Sequence, residues 1–318
     1  MRRTCQGMVL SASMLAAVLG LTGCGSSGGD GSDNGTGYLS LGVSDAPVHD
    51  ATKVCIAFDH IEFKVAGDGA PFTVDLGAVL NVNLLEFQGA NAAPLLFMEP
   101  MPVGAYEYMR LGVNARAGGT GGTGDDPGSE LCAGEESYIA FEDGTVHNLF
   151  VPSGDERGLQ INGDFVIAVD QTANFTIEVD LMRSLVTPPG LAPDMIFKPT
   201  LKLVNNLEVG TLLGAVAAEL ATAVDPVTAE PCEPSIFVFA DGVVPNEADV
   251  EDTEAVVSTA MVHPVDNGDG TAGHAYEVGY LVAGDYEVAF TCDGTVFEPA
   301  DGKPATIAAG EVTTVDFP

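Results

Sequence analysis

This sequence predicts an all-β architecture: two β-sandwich domains in tandem. Three observations support it. Short runs alternate apolar and polar residues with a period of two, as half-buried strands do. Helical periodicity is scarce, while glycine and proline are frequent, with 39 Gly, 19 Pro and no Trp in 318 residues. An apolar fraction of 46% over this length is enough for more than one packed core.

The N-terminal segment belongs to neither sandwich. Arg2 and Arg3 precede an apolar stretch from Met8 to Leu21 that is short for a permanent bilayer span. Leu21-Thr22-Gly23-Cys24 follows, with small residues leading into a cysteine. The arrangement resembles the lipobox of bacterial lipoproteins. That resemblance implies removal of residues 1–23 as a signal peptide and acylation of the Cys24 thiol. Residues 24–37 then form a Gly/Ser-rich tether with a reach of roughly 20 Å. The residue after Cys24 is Gly25, so the inner-membrane retention signal of enteric lipoproteins is missing. The expected location is the cell envelope, lipid-anchored at the outer membrane of a Gram-negative bacterium, with the membrane as first partner.

The first sandwich is expected over residues 38–206. Val54, Ile56 and Phe58 alternate, then Ile61, Phe63 and Val65 alternate in the opposite phase, which predicts a bulge or bend. Met109, Leu111 and Val113 alternate after Gly104. Phe175, Ile177 and Val179 alternate with Thr176, Glu178 and Asp180, a strand with one buried face and one wet face. Residues 80–87 fit a short helix or a strand equally well. The second sandwich is expected over residues 207–318. There Phe237 and Phe239 alternate with Ile236, Val238 and Ala240, a strand covered on both faces. Tyr276–Tyr280 and Tyr286–Phe290 read as neighbouring strands joined by a turn at residues 282–285. Val103-Gly104-Ala105-Tyr106 parallels Ala283-Gly284-Asp285-Tyr286, so the two halves share an architectural device.

With Cys24 acylated and Cys5 removed, Cys55, Cys132, Cys232 and Cys292 remain. An even number in an oxidising compartment predicts two disulfides. Three connectivities exist; Cys55–Cys132 with Cys232–Cys292 keeps each bridge within one sandwich and is favoured. Metal ligation by these cysteines lacks both C-x₂-C spacing and a nearby histidine.

The formal charge is −35, with 46 acids against 11 bases. From Leu207 onward, 21 acids stand against the single base Lys303. Such a surface repels phosphate, so nucleic acid is not an expected partner. The self-repulsion is softened by salt, over a screening length of about 8 Å at physiological strength.

Several ordered pieces of the first domain carry a family resemblance. They are Ser44-Asp45-Ala46-Pro47, Val82-Asn83-Leu84-Leu85, Pro102 to Tyr106 with Met109-Arg110-Leu111, Val151-Pro152-Ser153-Gly154, Gly158-Leu159, Val179-Asp180, Arg183-Ser184 and Phe197-Lys198-Pro199. In this order they resemble a bacterial lipoprotein family catalogued as domain of unknown function 4382. The resemblance implies an envelope-anchored β-rich domain and brings no established activity. A Gly-rich insertion over residues 117–128 departs from the family and reads as a long exposed loop. The second domain, through Gly214-Ala215-Val216, Gly284-Asp285-Tyr286 and Ala309-Gly310-Glu311-Val312, is similar to carboxypeptidase-regulatory or transthyretin-like sandwiches. Such modules serve as spacers or binding domains, some of them for carbohydrate.

Few constellations carry chemistry. Gly119, Gly121 and Gly124 satisfy G-x-G-x-x-G, but Asp125-Asp126-Pro127 follows where a dinucleotide site needs a helix, so no cofactor is expected. Asp266, Asn267 and Asp269 form an oxygen-rich candidate calcium site; a hairpin turn explains the same residues. Asp45 before Ala46-Pro47 reads as a turn residue, and Asp180 with Arg183 as a local ion pair. His263 and His274 could meet across a hairpin. Ser153 lacks a nucleophile elbow and a base, so no catalytic residue is named. The expected function is a non-enzymatic binding, adhesion or structural role with a glycan or protein partner. The alternative is a polysaccharide-acting enzyme or its accessory subunit.

Overall fold

A computed structural model describes residues 35–46, 51–126, 128–152, 158–186, 194–224, 231–250, 252, 254–266 and 272–318. The signal segment, Cys24, Pro47, Ser153, Asn267 and Asp269 lie outside the described residues.

The first sandwich runs through β1 (Thr36–Ala46), β2 (Ala51–Val65), β3 (Phe72–Asn83), β4 (Ala93–Pro102), β5 (Gly104–Val113), β6 (Tyr138–Phe141), β7 (Val146–Phe150), β8 (Leu159–Ile167), β9 (Thr172–Asp180), β10 (Leu185–Val186), β11 (Asp194–Phe197) and β12 (Thr200–Asn205). One sheet has the order β12-β9-β1-β4. The facing sheet is organised on β2, with β3 on one side and β5 then β8 on the other; β6, β7, β11 and β10 extend it from the first half of β2. The core between the sheets holds Leu39, Leu41 and Val43 of β1 against Ile56, Phe58, Ile61 and Phe63 of β2. The phase flip in β2 is a bulge: its register against β3 shifts between Phe58 and His60. One extra residue there returns Ile61 and Phe63 to the core side that Val54, Ile56 and Phe58 already face. Residues 80–87 are both things in turn, strand to Asn83 and then a 3₁₀ turn over Leu84–Glu86.

The second sandwich runs through β13 (Val209–Val216), β14 (Ser235–Ala240), β15 (Val256–Met261), β16 (His263–Asp266), β17 (Ala272–Val282), β18 (Gly284–Thr291), β19 (Phe297–Ile307) and β20 (Val312–Thr314). Its sheets have the orders β16-β17-β13-β20 and β15-β14-β18-β19. Strand β14 is indeed covered twice. Ile236 and Val238 enter the core between the sheets, while Phe237 and Phe239 pack on the other face with Phe297. The three rings lie 5.3–6.2 Å apart, two of the three pairs edge to face.

The two sandwiches share a topology. In each, the first strand lies between an antiparallel neighbour (β4 or β17) and a parallel one (β9 or β20). The facing sheets, β3-β2-β5-β8 and β15-β14-β18-β19, correspond strand for strand. The shared Gly-x-Tyr device sits at the same corner. Expected as neighbours, β17 and β18 instead lie in opposite sheets, as do β4 and β5. The chain crosses between layers at Val103 and at Ala283. Each crossing is tied by a tyrosine whose hydroxyl donates to the carbonyl four residues back: Tyr106 to Pro102 and Tyr286 to Val282, both at 2.7 Å.

Disulfides join Cys55 to Cys132 and Cys232 to Cys292. The first fastens the Gly-rich segment to β2. That segment is exposed over much of its length, yet it is anchored. Lys53, 2% exposed, donates to Asp125 Oδ1 at 2.8 Å and to the Asp126 carbonyl at 2.7 Å. Tyr138 adds a 2.6 Å bond to the same Asp125 oxygen. The glycines are needed because this segment lies against β6 and β7: a Cβ on Gly121 would meet the Ser137 carbonyl, and one on Gly122 the Val146 side chain. Paired Cys→Ala replacement at either bridge opens a loop spanning 77 or 60 positions. We expect each to lower unfolding free energy by roughly 4 kcal/mol in urea titration. A midpoint unmoved by reductant would count against both bridges.

Candidate functional site

Two places gather side chains in ways that bear on function. One is a charged seam between the sandwiches; the other is a polar row on an outer sheet face.

The seam begins on β9. Phe175, Ile177 and Val179 face the core as the alternation predicts, but the opposite face is not wet. Thr176 and Asp180 are buried and Glu178 is partly buried, because β15 of the second sandwich lies against them. Three consecutive β15 residues bond to the first sandwich, two as acceptors and one as donor. Arg183 Nη1 donates to the Val256 carbonyl at 3.1 Å, Lys202 Nζ donates to the Val257 carbonyl, and Ser258 Oγ donates to Glu178 Oε1 at 2.9 Å. Lys202 of β12 stands directly across from Glu178 of β9. Asp180 caps the one-turn helix Leu181–Ser184 and grips Arg183, with Nε at 2.7 Å and Nη2 at 2.6 Å. The expected local ion pair is therefore present and also serves the seam. The same helix projects Met182 onto the Phe237, Phe239 and Phe297 cluster. A second contact lies along β17. The Ala90 amide donates to Glu277 Oε1 at 2.8 Å, and Tyr280 OH donates to the Ala90 carbonyl at 2.9 Å. Gly279 is required there, since a Cβ would strike the Gly89 carbonyl. The void among Glu178, Arg183, Lys202 and Ser258 is about 10 Å³, room for one water at most.

Burial sets the electrostatics. Desolvation pushes the Glu178 carboxyl up to about 7, with Asp180 adding to the rise and Lys202 and Ser258 opposing it. Burial likewise lowers Lys202. Asp45 is the most unusual group. It is not in a turn: parallel pairing with β9 carries β1 through to Ala46, so Asp45 lies within the strand opposite Val179. Its side chain therefore shares the core-facing side of β1, 4% exposed, and neither carboxylate oxygen has a hydrogen-bond partner. Desolvation, then the Asp180 charge, raises it well above the ordinary range.

The polar row crosses the outer face of the β3-β2-β5-β8 sheet. Register aligns Thr73, Glu62, Arg110 and Gln160 on four successive strands. Arg110 Nη1 donates to Glu62 Oε1 at 2.7 Å and its Nη2 to Gln160 Oε1 at 2.8 Å. Tyr108 OH donates to the same Glu62 oxygen at 3.2 Å, and the Arg110 guanidinium rests 5.2 Å from the Tyr108 ring centre. Gln160 continues to Asn162 Oδ1 at 2.6 Å. Beside the row, the β2 bulge opens a cleft of about 480 Å³ lined by Asp59, His60, Thr73, Asp75 and residues 77–79. Asp59 Oδ1 and His60 Nδ1 are 2.6 Å apart. A Cβ on Gly112 of β5 would collide with both side chains, so only glycine lets the pair lie flat on the sheet. Sequence alone did not reveal these residues. The alternation in Tyr108-Met109-Arg110 marks outward positions, but only the register shows which neighbours they meet.

The remaining candidates do not converge. Among the described residues no group of three His, Cys, Asp or Glu side chains is placed to hold a metal. Asp266 pairs with Ala272, and its proposed co-ligands Asn267 and Asp269 lie outside the described residues. His263 stands opposite Ala275 and His274 opposite Pro264, which puts the two imidazoles on opposite faces of the hairpin. Gly119, Gly121 and Gly124 belong to a run of turns, not a strand-to-helix junction. Among the described residues no helix is long and apolar enough to cross a membrane.

A family model, Domain of unknown function (DUF4382), matches residues 36–199. Solved structures with a similar course are distant. The minor pilin of Streptococcus agalactiae is 10% identical, covering 88% of this chain and 94% of that one, at a TM-score of 0.18. An adhesin candidate from Bacteroides ovatus is 11% identical, covering 94% and 98%, at 0.17. The major pilin of Streptococcus pyogenes is 9% identical, covering 88% and 99%, at 0.15. No curated protein matches the chain.

The raised carboxyls give the seam a pH signature. Each binds its proton more tightly in the folded state, so its contribution is complete below the unfolded value and is lost as pH rises through the folded one. For Glu178 the window runs from the ordinary carboxylate range to about 7. The thermal midpoint should rise as pH falls from 8 to 5.5, and Glu178→Gln with Asp45→Asn should flatten most of that slope. An equally steep slope in the double variant would show that general charge repulsion, not the seam, causes it.

Proposed function

Because this chain belongs to the DUF4382 family, whose matched region ends just before β12, we propose that it is a lipid-anchored cell-envelope protein with a non-enzymatic binding or structural role. In this reading the second sandwich is a transthyretin-like extension fixed to the family domain. The seam is the observation that carries it. Backbone carbonyls of edge strand β15 are capped by Arg183 and Lys202, while Glu178 takes a hydrogen bond from Ser258. Separating the sandwiches would break these three hydrogen bonds, each of which involves a charged group and is worth about 1.5–3 kcal/mol. A ligand or load met by one sandwich is thus borne by both. The charge of −35 suits such a body, keeping copies apart and repelling polyanions.

The anchor and the rigidity are tested separately. Cys24→Ser should move the protein from the membrane fraction to the soluble one; unchanged retention removes the anchor. Small-angle scattering of that soluble variant should fit one rigid body. A broad distribution of separations between the sandwiches would remove the structural role assigned to the seam.

A further inference from the structure

We propose that the outer face of the β3-β2-β5-β8 sheet, together with the cleft at the β2 bulge, is a binding site for a neutral saccharide. The proposal rests on the envelope-binding role above and gives it a ligand class.

Four features point to hydroxyl groups on the ligand. First, the row is already neutralised: Glu62 and Arg110 satisfy each other's charge at 2.7 Å. It offers donors and acceptors without the net charge an ionic ligand would need. Second, the side chains are held before any ligand arrives. Arg110 is fixed by Glu62, by Gln160 and by the Tyr108 ring, and Gln160 by Asn162. Immobilising long side chains costs about 0.5–1.5 kcal/mol each on binding, and here that cost is met during folding. Third, the polar groups repeat at the spacing of adjacent strands, about 4.8 Å, close to the length of one sugar ring. Fourth, the depression of about 480 Å³ at the bulge is shallow and largely open, so it suits a ligand that lies along the sheet face with much of its surface in water. Its Asp59 and Asp75 carboxylates can accept hydrogen bonds from hydroxyl groups, while Ala78 and Val79 supply an apolar wall. The charge of the whole chain then selects among sugars: phosphorylated or uronic polymers are repelled, and neutral ones are not.

The soluble Cys24→Ser chain provides the assay, so failure of saccharide binding and failure of membrane anchoring are read apart. Calorimetric titration would use cello-, malto-, xylo- and chito-oligosaccharides, with oligogalacturonate and oligolysine as charged comparators. At least one neutral oligosaccharide should bind. Arg110→Ala should weaken it about tenfold or more, as expected for loss of a charge-assisted hydrogen bond. The exposed Gln160→Ala should act in the same direction with an unchanged thermal midpoint, which covers the case that Arg110→Ala perturbs the sheet. Phe97→Ala, exposed on the other sheet, should leave affinity unaltered. Absence of binding by every neutral oligosaccharide at millimolar concentration overturns the proposal. So does binding that survives both row substitutions, or binding of oligolysine alone, which would identify a basic peptide as the ligand.

Discussion

The rest of the molecule depends on one electrostatic constraint: the charged side of β9 is covered by protein. Glu178 and Asp180 alternate with core residues and would ordinarily face solvent. Once β15 lies over them, each charge must have a partner, since an uncompensated buried ion costs several kcal/mol. The partners come from separate elements. Lys202 arrives on β12, Arg183 on a single helical turn, and Ser258 from the second sandwich. Their joint geometry fixes where the second sandwich sits. Met182, from the same helical turn, seats against the phenylalanine cluster and gives the seam an apolar half. The polar half sets alignment and the apolar half adds burial, the usual division at protein contacts.

Asp45 shows how little tolerance this arrangement leaves. Its strand is held in parallel register by β9, so its side chain must face inward. Loss of water shifts the carboxyl toward its neutral form, the cheaper of the two in an apolar setting. The contrast with Lys53 is instructive. That side chain is equally buried but is satisfied by Asp125 and two carbonyls, and it anchors a glycine-rich segment whose composition reads as loose loop.

Sequence patterning revealed what depends on one strand at a time. The phase change in β2 marked its bulge, and the doubled alternation at Phe237 and Phe239 marked a strand buried on both sides. What it missed depends on relations between strands. Tyr276–Tyr280 and Tyr286–Phe290 read as a hairpin because their spacing is that of a hairpin. The tyrosine after the glycine instead ties a crossing between layers. The face of β9 read as wet because alternation reports polarity and does not report what packs on it. The row from Thr73 to Gln160 is assembled by register among β2, β3, β5 and β8, and the bulge shifts that register at the point where it matters. Local alternation could not have grouped those residues.

The placement of β1 has a mechanical consequence. It is an interior strand, hydrogen-bonded to β4 on one side and to β9 on the other, and the preceding chain enters it at Thr36. Tension delivered along that strand loads both ladders in shear, so many hydrogen bonds resist together instead of peeling open in succession. The grip runs through β9 toward the seam. A load entering at Thr36 is therefore met first by a strand hydrogen-bonded along both of its edges.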